Sequence, residues 1–128
     1  MAGETNLDRL LSNMSPVLND GAYVFTIVDT GIPEGLSPVV TVREKEGLTL
    51  VLEKEQADSA GLEYDYVAAW ITLEVHSALE AVGLTAAISS VLKDAGISCN
   101  VVAGYTHDHL FVPEDKAQQA LAALGTLS

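Results

Sequence analysis

The chain has 128 residues, of which 48% are hydrophobic and 19% are charged, and this composition excludes an intrinsically disordered protein. Asp and Glu outnumber Lys and Arg by 18 to 6, which gives a formal net charge of −12. A field of that sign repels phosphate backbones and anionic lipids, so we expect neither a nucleic-acid partner nor a membrane partner.

The cysteine content and the N-terminus indicate a reducing compartment. Cys99 is the only cysteine, so neither an intramolecular disulfide nor a cysteine-based zinc site can form. Residues 1–6 lack the basic and apolar runs of a signal peptide, and no stretch of about 18 apolar residues predicts a transmembrane helix. We therefore expect a cytoplasmic protein.

The first half of the chain predicts a helix, three strands and a second, short helix. Apolar residues recur at helical spacing over residues 5–14, Thr5 and Asp8 resemble an N-terminal cap, and Ser15-Pro16 ends the helix. The elements that follow are a strand over 22–28 that is apolar enough to be buried on both faces, a loop over 31–38, a hairpin of 39–43 and 48–52, and a short helix over 53–60.

The second half predicts the order β-α-β-β-α. From residue 68, Ile71 and Leu73 alternate with Trp70 and Thr72, which is the period of a half-buried strand. The later elements are a helix that begins at Leu84 and closes at Ala95-Gly96, a strand over 97–105, a turn at His107-Asp108, a strand over 109–112, and a helix from Pro113 that ends before Gly125.

This order is one strand short of the ferredoxin-like β-α-β-β-α-β unit. The first half, β-β-β-α, resembles the same unit with its first helix reduced to a loop. We therefore predict an α+β protein of two tandem ferredoxin-like halves, residues 1–66 and 67–128, with antiparallel sheets packed against helices.

Three segments of the second half resemble the ACT domain family: residues 70–77, residues 82–85 and the Ala-Gly-Ile run within 95–102. Residues 14–18 and 23–25 are similar to the degenerate first repeat of small bacterial tandem ACT-like proteins. The resemblance implies a regulatory module that binds a small molecule, most often an amino acid, and catalyses nothing. It further implies side-by-side pairing, so a homodimer is expected, and it implies no cofactor.

The resemblance places the ligand between the first strand-to-helix loop and the next strand. Carried over by position, the loop residues are His76, Ser77, Ala78, Leu79, Glu80, Ala81, Val82, Gly83 and Leu84, and the strand residues are Asn100 and Val101. The loop departs from the family's common Asp-x-Pro-Gly pattern, because it is longer and lacks both Asp and Pro.

The same residues suit a ligand on chemical grounds. A helix N-terminus presents unpaired backbone N–H groups to a carboxylate, and Gly83 lets a ligand approach the backbone closely. Asn100 carries both a donor and an acceptor. A plain turn is an equally good interpretation of Gly83, and Ser77 with Glu80 fits a capping box.

The three histidines leave further alternatives open. His76, His107 and His109 can converge near Asp108 into a metal or acid–base site, His76 or His109 can hydrogen-bond the ligand, or all three can form a polar hairpin tip. No nucleophile or nucleotide-binding motif accompanies them, so no catalytic residue and no metal are expected. The rival functions are a structural protein-interaction module and, less favoured, a small histidine-based metal protein or enzyme.

Overall fold

A computed structural model of the chain describes residues 3, 5–75, 78–79 and 81–127. Its elements are α1 (Leu7–Asn13), β1 (Pro16–Leu18), β2 (Tyr23–Val28), β3 (Val40–Glu44), β4 (Gly47–Glu53), α2 (Lys54–Ser59), β5 (Val67–Leu73), α3 (Leu84–Asp94), β6 (Asn100–Ala103), β7 (Asp108–Pro113), a 3₁₀ turn (Glu114–Lys116) and α4 (Ala117–Gly125). The predicted α+β class is confirmed.

The chain divides into two compact units. One, here the central unit, comprises residues 21–68, and the other, here the split unit, comprises residues 1–20 together with 69–128. The two tandem halves predicted at residues 1–66 and 67–128 stay a prediction.

The central unit is a β-β-β-α arrangement, as the sequence predicts. Strand β4 lies between β3 and β2 and pairs antiparallel with both. The β3–β4 hairpin closes at Glu44 and Gly47 with two residues between them, and Val67 and Ala68 of β5 pair with β2 on its other side. Residues 29–39, all of them described, contain no helix, so a loop stands where the ferredoxin-like unit has its first helix.

The split unit has four strands in the order β1-β5-β7-β6. Strand β1 is not predicted from the sequence, yet it pairs antiparallel with β5 from Pro16 opposite Leu73 to Leu18 opposite Ile71. It takes the position of the last ferredoxin-like strand, so the N-terminal segment supplies the strand that the second half lacks. Pro16 is compatible with this pairing because proline is tolerated as the first residue of a strand.

Both units bury apolar side chains between a sheet face and helices. In the split unit, α1, α3 and α4 pack on one face of the sheet, as their apolar spacing predicts. The fully or almost fully buried core residues there include Leu10, Ile71, Leu73, Leu84, Ile88, Leu92, Leu110, Val112, Ala120 and Leu124, and those of the central unit include Val24, Leu50, Leu52 and Ala57.

Two local predictions in the first half are wrong. The N-cap of α1 is Asn6, whose Oδ1 accepts the backbone N–H of Arg9 at 3.1 Å, and Thr5 does not cap it. Asn is among the best N-cap residues because its side-chain oxygen reaches the first turn. Strand β2 is not buried on both faces, since the side chain of Ile27 is 49% exposed.

The second half also differs in detail. Thr72 is only 8% exposed, so the polar face of β5 is not open to solvent. Strand β6 is shorter than predicted, and the turn occupies residues 104–107, because Asp108 pairs with Ala103 inside the hairpin. The 3₁₀ turn precedes α4, and Gly125 is the last residue of that helix. Among the described residues, no helix is long and apolar enough to cross a membrane.

Candidate functional site

The start of α3 is the structural centre of the predicted loop site. Gly83 is the N-cap, with a φ of +101°, a left-handed conformation that glycine adopts without steric cost. Its carbonyl accepts the N–H of Ala87 at 2.9 Å, which closes the first turn. Because glycine has no side chain to cap the helix, the N–H groups of Leu84, Thr85 and Ala86 keep their hydrogen-bonding capacity, and they carry the positive end of the helix dipole.

Helix α1 packs against the start of α3. A Cβ added at Gly83 would lie 3.1 Å from Cδ2 of Leu7, so α1 packs directly against the glycine. The side chain of Leu84 is buried in the core of the split unit. Leu84 can therefore offer a ligand its backbone N–H but not its side chain.

The loop before the helix exposes two apolar side chains. Leu79 is 65% exposed and Val82 is 83% exposed, while Ala78 is half-buried and accepts the N–H of Ala81 at 3.0 Å. Three predicted participants, His76, Ser77 and Glu80, lie outside the described residues, and so does the capping box predicted from the last two.

The predicted strand residues lie on different faces of the sheet. Val101 pairs with Leu110 and packs against the core, on the side of the helices. Asn100 is exposed, and it pairs with Phe111 on the opposite face, the face that also carries His109. Within one copy, the structure therefore gathers Leu79, Val82 and Gly83 near the helix start and holds Asn100 apart from them.

His109 belongs to a hydrogen-bond network on that opposite face. The indole N–H of Trp70 donates to His109 Nδ1 at 3.0 Å, and Thr72 Oγ1 lies 3.1 Å from the same nitrogen. The amide of Asn19 donates to Thr72 Oγ1 at 2.9 Å and to the Trp70 carbonyl at 3.2 Å. Because Nδ1 accepts a hydrogen bond from the indole N–H, it carries no proton of its own. The network therefore assigns the neutral His109 tautomer with its proton on Nε2.

Burial is the main cause that lowers the pKa of His109 below its ordinary value of 6.5. His107 lowers that pKa further, and Asp108 opposes the shift. A protonated ring would carry a proton on Nδ1 and could no longer accept the N–H of Trp70. The structure therefore favours a neutral histidine in a structural role.

This network predicts a pH dependence of folding. Because the pKa of His109 is lower in the folded chain than in the unfolded one, the unfolded state binds more protons. The contribution of His109 is thus complete above about pH 6.5 and is lost as the pH falls from there through the folded pKa. Urea unfolding of the natural chain and of His109→Gln across this range should show a steeper loss in the natural chain. Parallel pH profiles of the two proteins would contradict the assignment.

His107 and Cys99 are not part of the hydrogen-bond network around His109. His107 Nδ1 lies 3.4 Å from the carbonyl of Val75, so it does not share a partner with His109. Burial raises the pKa of Cys99 to about 11, which keeps the thiol protonated and unreactive. In the part of the chain that the structure describes, no three His, Cys, Asp or Glu side chains are arranged to hold a metal ion.

The central unit carries a concave surface that the sequence does not predict. An open groove of about 1090 Å³ has Phe25 and Ile27 of β2 in its lining, together with residues 61–65. The alternation of Phe25 and Ile27 along β2 is the one sequence signal for it, because it places both side chains on one face of the strand.

The strand order of the split unit and the glycine that begins α3 define a small domain of the ferredoxin-like class. The ACT domain family matches the chain twice, over residues 2–69 and over residues 66–126, and the chain belongs to this family. ACT domains are regulatory, ligand-binding modules. The sequence-based assignment to the family and its fold is confirmed.

Solved structures agree with this fold. A Vibrio cholerae protein of unknown function, described as a possible transport protein, is 55% identical with a TM-score of 0.86, and 94% of each chain is covered. An Agrobacterium tumefaciens protein is 19% identical, with 89% of this chain and 88% of that chain covered and a TM-score of 0.69. The ligand-free regulatory subunit of aspartate kinase from Thermus thermophilus is 11% identical, with 88% and 95% covered and a TM-score of 0.66. The last two establish a shared fold only. No curated protein matches the chain in sequence.

Proposed function

We propose that this chain is a cytoplasmic regulatory domain that binds an amino acid at the start of α3 and catalyses no reaction. The observation that carries the proposal is the first turn of α3, where Gly83 is the N-cap and no acidic residue is present. Membership of a family of regulatory modules supports the same function.

The carboxylate of the amino acid is the group that this helix start binds. The backbone N–H groups of Leu84 and Thr85 donate to it, and the helix dipole adds a favourable field. This local positive field is notable in a chain with a net charge of −12. The side chain of the amino acid lies against Leu79 and Val82, which are both exposed and apolar.

A homodimer completes this arrangement. Strand β6 is the outermost strand of the order β5-β7-β6, and its outer edge offers backbone hydrogen bonds to a second copy. The exposed amide of Asn100 lies on this strand and is available to a ligand held by the neighbouring copy. A ligand bound across such a seam shifts the equilibrium between two arrangements by its difference in affinity for them.

Substitutions at Val82 test the proposed position of the carboxylate. Val82→Glu places a negative charge beside the helix start, while Val82→Gln has nearly the same shape without the charge, and neither disturbs the core because Val82 is exposed. In thermal-shift titrations with each of the twenty amino acids, binding to Val82→Glu should be about fivefold weaker than to Val82→Gln. Equal affinities would contradict a carboxylate at this end of α3.

A further inference from the structure

The groove of the central unit is distinct from the start of α3, and its lining is partly apolar and partly polar. Phe25 and Ile27 of β2 contribute one part of it, and Leu62 and Tyr64 of the segment after α2 contribute another. The side chain of Ile27, near the end of β2, is 49% exposed, so its apolar surface is open to a ligand. This lining offers a ligand an apolar contact area within one unit.

Hydrogen bonds hold the walls of the groove in place. The hydroxyl of Thr26 donates to the carbonyl of Glu63 at 2.7 Å, which ties the segment after α2 to strand β2. The hydroxyl of Thr49 donates to the carboxylate of Glu44. The hydroxyl of Tyr64 donates to Asp58 at 2.6 Å. The groove is therefore formed before a ligand arrives.

The charged side chains that line the groove are acidic. Glu44, Glu63 and Asp65 lie among its lining residues, and the described residues that line it include no Lys, Arg or His. Lys54 is paired with Asp58 at 3.0 Å, and its ammonium lies 6.0 Å from the centre of the Tyr64 ring. Arg43 and Lys45 flank Glu44 in the sequence, so the carboxylates of Glu63 and Asp65 are the ones without a basic sequence neighbour. Glu63 and Asp65 therefore favour a cation over a carboxylate at the end of the groove that residues 61–65 line.

We propose that this groove binds an organic ammonium ion that carries an apolar body. The apolar body covers Phe25 and Ile27, and the ammonium lies near the carboxylates of Glu63 and Asp65. A bare metal ion is a poor match, because the described side chains offer no group of three metal ligands. An amino acid is a poor match too, because its own carboxylate would be repelled.

Three matched probes separate charge from shape. Phenethylamine, which is cationic at neutral pH, should bind in calorimetric titrations at low salt and should weaken as the salt concentration rises. The neutral 2-phenylethanol and the anionic 3-phenylpropionate have similar bodies and should bind at least about fivefold more weakly. Equal binding of the alcohol and the amine would overturn the proposal, because the groove would then recognise only the apolar body.

Two pairs of variants locate the probe. The double variant Glu63→Gln and Asp65→Asn should bind phenethylamine about fivefold more weakly. The double variant Asp94→Asn and Glu114→Gln, which changes the net charge equally at exposed positions of the split unit, should not weaken it. Ile27→Arg should abolish binding, whereas Ile32→Arg should not, because Ile32 is 46% exposed in the loop after β2 and does not line the groove. Equal losses within either pair would overturn the proposal.

Discussion

Replacing Leu10 by alanine is expected to lower the free energy of unfolding by about 3 kcal/mol. Leu10 is fully buried, and it lies in the same core as Ile71, Leu84 and Leu110, although 61 residues or more separate it from them in the sequence. The truncation removes apolar contact area and leaves a cavity between α1 and the sheet, and both effects destabilise the fold. Urea denaturation followed by circular dichroism measures the change.

Leu11→Ala is the matched control for this prediction. Leu11 lies on the same helix but is only partly buried at the edge of the core, so its truncation should cost about 1 kcal/mol. Hydrogen exchange adds a local readout, since the protection of α3 amides should fall with Leu10→Ala. Similar small losses for both variants would contradict the inclusion of α1 in the core of the split unit.

Replacing Phe111 by alanine is expected to lower the free energy of unfolding by about 4 kcal/mol. The Phe111 side chain is fully buried in strand β7, and its ring stacks on Trp70 with 6.2 Å between centroids and an interplanar angle of 18°. Its loss removes a large buried area and the ring contact together. Because Trp70 also donates to His109, the emission of this single tryptophan should shift as its surroundings loosen.

Phe111→Leu keeps most of the buried volume and should cost about 1.5 kcal/mol or less. The difference between the two variants reports the contribution of volume at this position. If Phe111→Ala unfolds at the same urea concentration as the natural chain, then the opposite face of this sheet does not contribute a packed layer.

The elements with clear periodicity are predicted from the sequence. Helix α3 is an example, because apolar residues recur at helical spacing from Leu84 and Gly96 follows its end. The β3–β4 hairpin is another, since two β-branched runs flank a short polar turn. In both, the local pattern agrees with the tertiary contacts, so local reasoning is sufficient.

Strand β1 shows where local reasoning fails. Its three residues are too few to produce a period-two pattern, and Pro16 favours the end of a helix over the start of a strand. What makes it a strand is pairing with residues 71–73, which lie more than 50 positions further along the chain. The turn of the β6–β7 hairpin fails for a related reason, because the pairing of Asp108 with Ala103 decides its position.

Only part of the candidate site could be predicted from the sequence. The helix start at Gly83 follows from the order of strand, loop and helix, whereas the contact with Leu7 depends on the packing of α1. The separation of Asn100 from Gly83 within one copy follows from the strand register, which places Asn100 opposite Phe111. The groove of the central unit needs the Thr26–Glu63 hydrogen bond, and no local pattern encodes it.

The most direct test of the proposed function is amide NMR of the ¹⁵N-labelled chain during titration with each of the twenty amino acids. If a carboxylate binds the start of α3, the amide protons of Leu84 and Thr85 should move downfield and saturate with at least one amino acid. The methyl ester of that amino acid, which lacks the carboxylate, should leave both signals in place. Unchanged Leu84 and Thr85 amides with all twenty, or equal shifts with the ester, would contradict the account.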